Sequence, residues 1–269
     1  MIKRIFLCLF YIALLFPVYF MFVGSLQDSK GVMQMPPNLL PTNTTLGNYN
    51  NIAKLNVSRW TINSIFVTIA TVLGSVFISC TGGYAFAFFK FKFKNVIWAL
   101  LLLGIMIPRI SIIIPVYVII KKLHLSGTLT ATILPILFSP VGLYLARSYF
   151  ETIPLSLLES ARIDGATEFQ VLSKIVFPIS IPIITALSIF ASVGVLQDYI
   201  WQALVLQDPN KQTLLVGLMR YSMERGGELG INPIGRGLTV GVVLLVPLLI
   251  IFLLANKYFV SSIGGACKE

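Results

Sequence analysis

Charge is scarce in this sequence, and acid is scarcer than base. Only 11% of the 269 residues are charged, ten Asp and Glu against twenty Lys and Arg. An ordinary soluble domain is about 25% charged, so a water-soluble globular fold is all but excluded. So is intrinsic disorder, which needs high charge and little apolar content. Histidine occurs once and cysteine three times. Cys8 and Cys80 lie inside apolar runs, and no pair among Cys8, Cys80 and Cys267 has metal or redox spacing. We read them as structural thiols. With a lone His124, no metal cluster and no nucleophile constellation, a membrane-embedded enzyme is a weak reading. No glycine-rich loop followed by Lys and Ser or Thr occurs, so the chain has no ATPase motif of its own.

Apolar residues make up 57% of the chain, and the mean hydropathy is +0.89. A bilayer-spanning helix takes about 20 apolar residues. The sequence predicts an all-α membrane protein, one transmembrane domain over 1–269, with six transmembrane helices at about 5–26, 61–89, 95–120, 128–146, 181–204 and 238–255. The first run is too long for a signal-peptide core and lacks a good small-residue cleavage site, so it reads as an uncleaved helix. Polar outer loops are expected at 27–60, with a short helix after Leu46, and at 205–236. Gly74, Ser75, Ser79, Gly82 and Gly83 would let another helix approach the second span closely. Proline lies in or near the other five spans, as in a bundle that bends or lines a wet path, although proline is common in spanning helices anyway.

The basic residues group at the ends of apolar runs, which suits anionic lipid headgroups better than nucleic acid. Six spans place both termini on one side. Lys3-Arg4 and the Lys90, Lys92, Lys94 cluster favour the cytoplasm for that side.

The segment 149–180, between spans four and five, is too polar for the bilayer yet patterned like folded structure. Ser156 and Glu159 have capping-box spacing, as do Thr167 and Gln170. Gly165 supplies a left-handed stop between them, and Pro178 would close the second helix. The loop thus reads as helix, break, helix. Apolar residues not covered by the spans would form a docking surface, in the manner of a helix in a groove.

Glu159-Ser160-Ala161, Gly165, Ile175 and Pro178 together resemble the signature loop of permease subunits of binding-protein-dependent ABC importers. That pattern is Glu-Ala-Ala, three residues, Gly, nine residues, Ile, any residue, Leu, Pro. Ser160 and Phe177 depart from it. The stretch Glu159 to Ala166 looks most like the carbohydrate-uptake branch, that of the maltose importer. The resemblance extends from about Asn63 to the C-terminus, through Tyr84-Ala85-Phe86-Ala87 and Arg147 to Pro154. It implies a coupling helix carried by Glu159, Ser160, Ala161, Asp164, Gly165, Ala166 and Pro178, seated on a cytoplasmic ATPase subunit. Glu159 would either only cap its own helix or also meet a group on the ATPase.

The resemblance further implies a second permease as heterodimer partner, two ATPase subunits holding ATP and Mg, an external solute-binding protein, and a bacterial cytoplasmic membrane. No cofactor, metal or nucleic acid is expected on this chain. Gln197, Asp198, Tyr199 and Trp201, late in span five, are either substrate-path residues or an interfacial belt. Arg109 in span three is either functional or snorkels to the interface. Asp208, Arg220, Tyr221 and Glu224 in the last outer loop are candidates for contact with the binding protein. Ser261 to Ala266 resemble the family's glycine-rich tail. The cargo implied is a di- or oligosaccharide, with a sugar phosphate as the alternative. A secondary transporter is the rival class, and it would usually show internal repeats and charged relays in several spans.

Overall fold

The sharp bends of this chain lie beside prolines, although other prolines are carried inside its helices. The computed structural model describes residues 2–27, 32, 38–40, 44–223 and 233–266. Among these the secondary structure is helical, apart from an isolated bridge between Gln27 and Thr44. Glu224, Cys267 and the loop glycines Gly226, Gly227 and Gly230 lie outside the described residues.

Three helices are long and apolar enough to cross a membrane alone: Arg4–Ser25, Val57–Phe88 and Ile234–Leu253. They belong to α1 (Ile2–Ser25), α3 (Val57–Phe88) and α13 (Pro233–Ala266). Pro17 and Pro247 sit inside α1 and α13 without ending them. Three further pairs pass the same criteria only together, giving up to six crossings.

In the third run, α4 (Lys94–Met106) meets a 3-10 turn (Arg109–Ile112) and α5 (Ile113–Lys122) at a bend of 99°. Ile107, just before Pro108, is extended at ψ 119, because the proline ring disfavours the α region for its predecessor. In the fourth, α6 (Leu129–Leu137) and α7 (Pro140–Phe150) bend by 44°. Ser139, before Pro140, is likewise extended, and its Oγ accepts the Gly142 N–H at 3.0 Å to cap the new helix. Pro135 stays inside α6.

The third bent pair is α9 (Glu168–Ile179) and α10 (Ile181–Leu196), meeting at 79°. Pro178 does not close the helix here: α9 runs on to Ile179 and breaks at Ser180. A proline offers no N–H to the preceding turn, and that turn, Leu172–Val176, is widened to π geometry. The expected span 181–204 is also interrupted. α10 ends at Leu196, and α11 (Tyr199–Val205) restarts after Gln197 and Asp198.

By contacts the chain divides into two compact units, and α3 and α13 each have residues in both. The first comprises residues 1–62 and 212–250. Its core joins Ile52, Trp60, Leu214, Leu218 and Val240. Ile52 comes from the short helix α2 (Gly47–Ala53), and Leu214 and Leu218 lie one turn apart on α12 (Leu214–Met223). The stretch 205–236 is therefore not simply a polar loop, because α12 buries an apolar face within it.

The second unit comprises residues 63–211 and 251–269. Here α4 and α10 pack on α7, and α11 packs on α6. The small-residue face of α3 receives α7: a Cβ on Gly83 would lie 2.9 Å from the Arg147 backbone nitrogen. Ser261 to Ala266 continue α13 as helix.

Candidate functional site

The loop 149–180 is anchored by one face. Leu158 on α8 (Leu155–Ile163) and Val171 and Val176 on α9 are completely buried, in a cluster with Phe150, Ile153 and Leu187. Ala161 and Ala166 pack partly on the same cluster.

The start of α8 differs from the sequence expectation. Its N-cap is Pro154, with no side-chain cap bond. Ser156 therefore lies in the first turn, where its carbonyl accepts a bond from Ser160 Oγ at 2.9 Å. The Ser156–Glu159 capping box does not form. The Glu159 side chain is exposed and has neither hydrogen bond nor ion pair among the described residues.

The end of α8 is closed as its sequence suggests. Gly165 has φ +84, a left-handed conformation that costs a residue with Cβ about 1–2 kcal/mol. Its N–H donates to Arg162 O at 3.1 Å, and the Ala166 N–H donates to Ala161 O at 3.0 Å. These two bonds make a Schellman stop that satisfies carbonyls of the last turn. The second capping box is present: Thr167 N–H donates to Gln170 Oε1 at 2.9 Å, and Gln170 N–H donates to Thr167 Oγ1 at 3.4 Å.

Glu168 ties the loop together. It accepts from Arg162 Nε at 2.7 Å on one oxygen and from the Tyr84 hydroxyl at 2.7 Å on the other. The Arg162 hydrogen bond is the main reason that the Glu168 carboxyl is held below the usual carboxylate range. The same bond pushes the Arg162 guanidinium further up. On the opposite side of the loop, Ile163 is 86% and Phe169 76% exposed, beside exposed Glu159, Ser160 and Asp164.

A cleft of about 600 Å³ lies in the same unit, lined by Ser75, Ser79, Arg109, Ser139, Trp201 and apolar side chains. Arg109 stands on the 3-10 turn at the bend of the third run, and Asp198 stands at the break between α10 and α11. Arg109 Nη2 donates to Asp198 Oδ2 at 2.6 Å, with the two side chains 57% and 9% exposed. Arg109 is thus held by a partner rather than free to snorkel.

The four residues expected along a substrate path separate. Trp201 reaches the cleft wall but is buried with Ile120, Ala131, Val205 and Leu206, and its indole N–H donates to Ala131 O at 3.2 Å. Asp198 acts from behind Arg109, while Gln197 and Tyr199 do not line the cleft. In the last outer loop, Asp208 is exposed and accepts the Asn210 N–H at 2.9 Å. Arg220 and Tyr221 are half-buried on α12, and the Arg236 guanidinium sits 4.6 Å from the Tyr221 ring centre. Among the described residues no group of three or more His, Cys, Asp or Glu could hold a metal ion.

Residues 75–264 match the family of binding-protein-dependent transport system inner membrane components. The chain belongs to that family. This inner membrane component is 31% identical over 274 residues to the arabinooligosaccharides transport system permease protein AraQ of Bacillus subtilis, covering 98% of its own length and 96% of that relative's. It is 28% identical to the sn-glycerol-3-phosphate transport system permease protein UgpE of Brucella suis, covering 98% and 95%. Its fold matches a chain of a bacterial ABC transporter involved in the import of the acidic polysaccharide alginate, with a TM-score of 0.84 at 21% identity, over 96% of this chain and 95% of that one. A chain of the MetNI methionine ABC transporter, in inward-facing form, matches with a TM-score of 0.57 at 18% identity, over 75% and 93%. At those identities the likeness is one of fold.

Proposed function

We propose that this chain is a membrane-spanning subunit of an ABC importer that moves a di- or oligosaccharide into the bacterial cytoplasm, and that the loop 149–180 is where ATP hydrolysis on partner subunits drives it. The partners are a second, different permease, two ATPase subunits that hold ATP and Mg, and an external solute-binding protein. Both termini face the cytoplasm. Asp208, Arg220, Tyr221 and Glu224 lie on the side that meets the binding protein. The subunit itself is not catalytic.

The observation that carries the coupling role is the division of α8 into two faces. Leu158 fixes one face in the core, while Glu159, Ile163 and neighbouring Phe169 are exposed, and no bond to their side chains occurs among the described residues. An amphipathic helix so mounted suits a groove on a partner. Glu159 is left for an intermolecular role, because its capping role is vacant. The sugar assignment draws on the arabinooligosaccharide relative, and the glycerol phosphate relative supports a sugar phosphate as the second reading.

The test is ATP-driven uptake in proteoliposomes containing the assembled importer. Glu159→Ala and Gly165→Pro should each abolish uptake while the subunit still inserts and assembles. Undiminished uptake in both would overturn the coupling role. Uptake by this chain alone under an ion gradient would favour a secondary transporter.

A further inference from the structure

We infer that Arg109 is the ligand-contacting cation of the cleft and that Asp198 cancels its charge, so that the cleft accepts a neutral polyhydroxylated ligand and rejects an anionic one. The inference rests on the sugar-importer reading and decides between its two cargo classes. A guanidinium has five N–H donors in a planar fork. Asp198 takes one of the two on Nη2, and no other bond to the Arg109 side chain occurs among the described residues. The remaining donors belong to a side chain 57% exposed that lines the cleft, whereas Asp198, 9% exposed, does not line it. A ligand therefore meets the arginine first and the carboxylate behind it.

That order has a chemical consequence. Sugar hydroxyls and ring oxygens accept hydrogen bonds from a guanidinium without needing its net charge. A phosphate or carboxylate gains from the charge, and here Asp198 opposes it from the next atom along. The other polar side chains of the wall, Ser75, Ser79 and Ser139, are uncharged. The wall that this chain contributes is thus mostly apolar, with a few uncharged hydroxyls around one guanidinium whose charge Asp198 balances. Asp198 works as a positioning residue, since the 2.6 Å bond also fixes which edge of the guanidinium is presented.

Electrical balance is measurable without knowing the cargo. The importer is assembled with its partner subunits in nanodiscs, with Cys8 and Cys267 replaced by Ser and a thiol introduced at the cleft wall by Ile107→Cys. Its modification rates by a cationic and an anionic methanethiosulfonate are compared. Asp198→Asn should shift the rate ratio about tenfold towards the anionic reagent, and Arg109→Gln should shift it the opposite way. Asp198→Glu, which keeps the charge, should leave the ratio near that of the parent.

A neutral methanethiosulfonate then reads occupancy. Arabinotriose should protect the introduced thiol in the parent importer, and sn-glycerol 3-phosphate should protect it only in Asp198→Asn. The inference is overturned if the ratio ignores Asp198→Asn, if the phosphate protects the parent, or if neither probe does. Failure of the importer reading is scored separately, by the absence of ATP-driven uptake of any carbohydrate.

Discussion

Truncating Leu158 and truncating Ile163 should damage the protein in different ways, although the two residues are five apart on one short helix. Leu158 is completely buried against Phe150, Ile153 and Val171. Leu158→Ala removes apolar contact and leaves a cavity, a change that costs about 2–5 kcal/mol at a fully packed site. The helix is only nine residues long, and isolated helices shorter than about 12–15 residues are marginal in water. The loss should therefore appear as local melting of α8. Ile163 is 86% exposed, and substitution there should change stability by no more than about 0.5 kcal/mol. If a partner covers Ile163, truncation should still cost about 1–2 kcal/mol of docking, or roughly five- to thirtyfold in coupling. Hydrogen exchange over residues 155–166, with sugar moved per ATP hydrolysed, separates the two effects. Leu158→Ala should speed exchange and uncouple, and Ile163→Ala should uncouple with exchange unchanged. The reasoning is refuted if Leu158→Ala exchanges like the parent protein, or if Ile163→Ala couples as well as the exposed control Met106→Ala.

Acid should weaken the Glu168 junction. The folded carboxyl titrates below its ordinary range, so its stabilisation is complete above that range and disappears as pH falls through the lowered value. Both partners are partly exposed, which limits the contribution to less than about 1 kcal/mol. The gap in melting temperature between the parent and Glu168→Gln should close between neutral and strongly acid pH, and a constant gap would contradict the assignment. Gly83→Val should lower the melting temperature in detergent, at a cost of about 1–3 kcal/mol, because the new Cβ would meet the Arg147 backbone nitrogen at 2.9 Å. Gly194→Ala, where a Cβ meets nothing within 4 Å, is the matched control and should be neutral or slightly stabilising.

The features legible in the sequence were those decided within a few residues. Gly165 and the Thr167–Gln170 box depend only on local backbone, and both stand where their spacing puts them. The Ser156–Glu159 box has the same spacing and does not form, because Pro154 already starts the helix and leaves Ser156 inside it. Apolar run length fixes how far a segment reaches but not its direction, so the bends of 99°, 44° and 79° were hidden. Prolines hinted at them without ranking them: Pro135 is carried inside α6, whereas Pro140 marks a break. In 205–236 the average polarity masked Leu214 and Leu218, which become visible only once Trp60 lies against them. The Arg109–Asp198 pair joins residues 89 apart, and no local pattern announces such a contact.

The bond from Tyr84 to Glu168 sets what kind of mechanical part α3 is. α3 runs for 32 residues without proline, about 48 Å of uninterrupted helix, whereas three other apolar segments are broken at bends of 99°, 44° and 79°. A tug on the loop reaches α3 four residues from its C-terminal end, at a hydroxyl–carboxylate contact on the side chain rather than through the peptide chain. Were a partner to pull on the loop, a helix gripped near its tip would be drawn as one piece, where a jointed segment would flex.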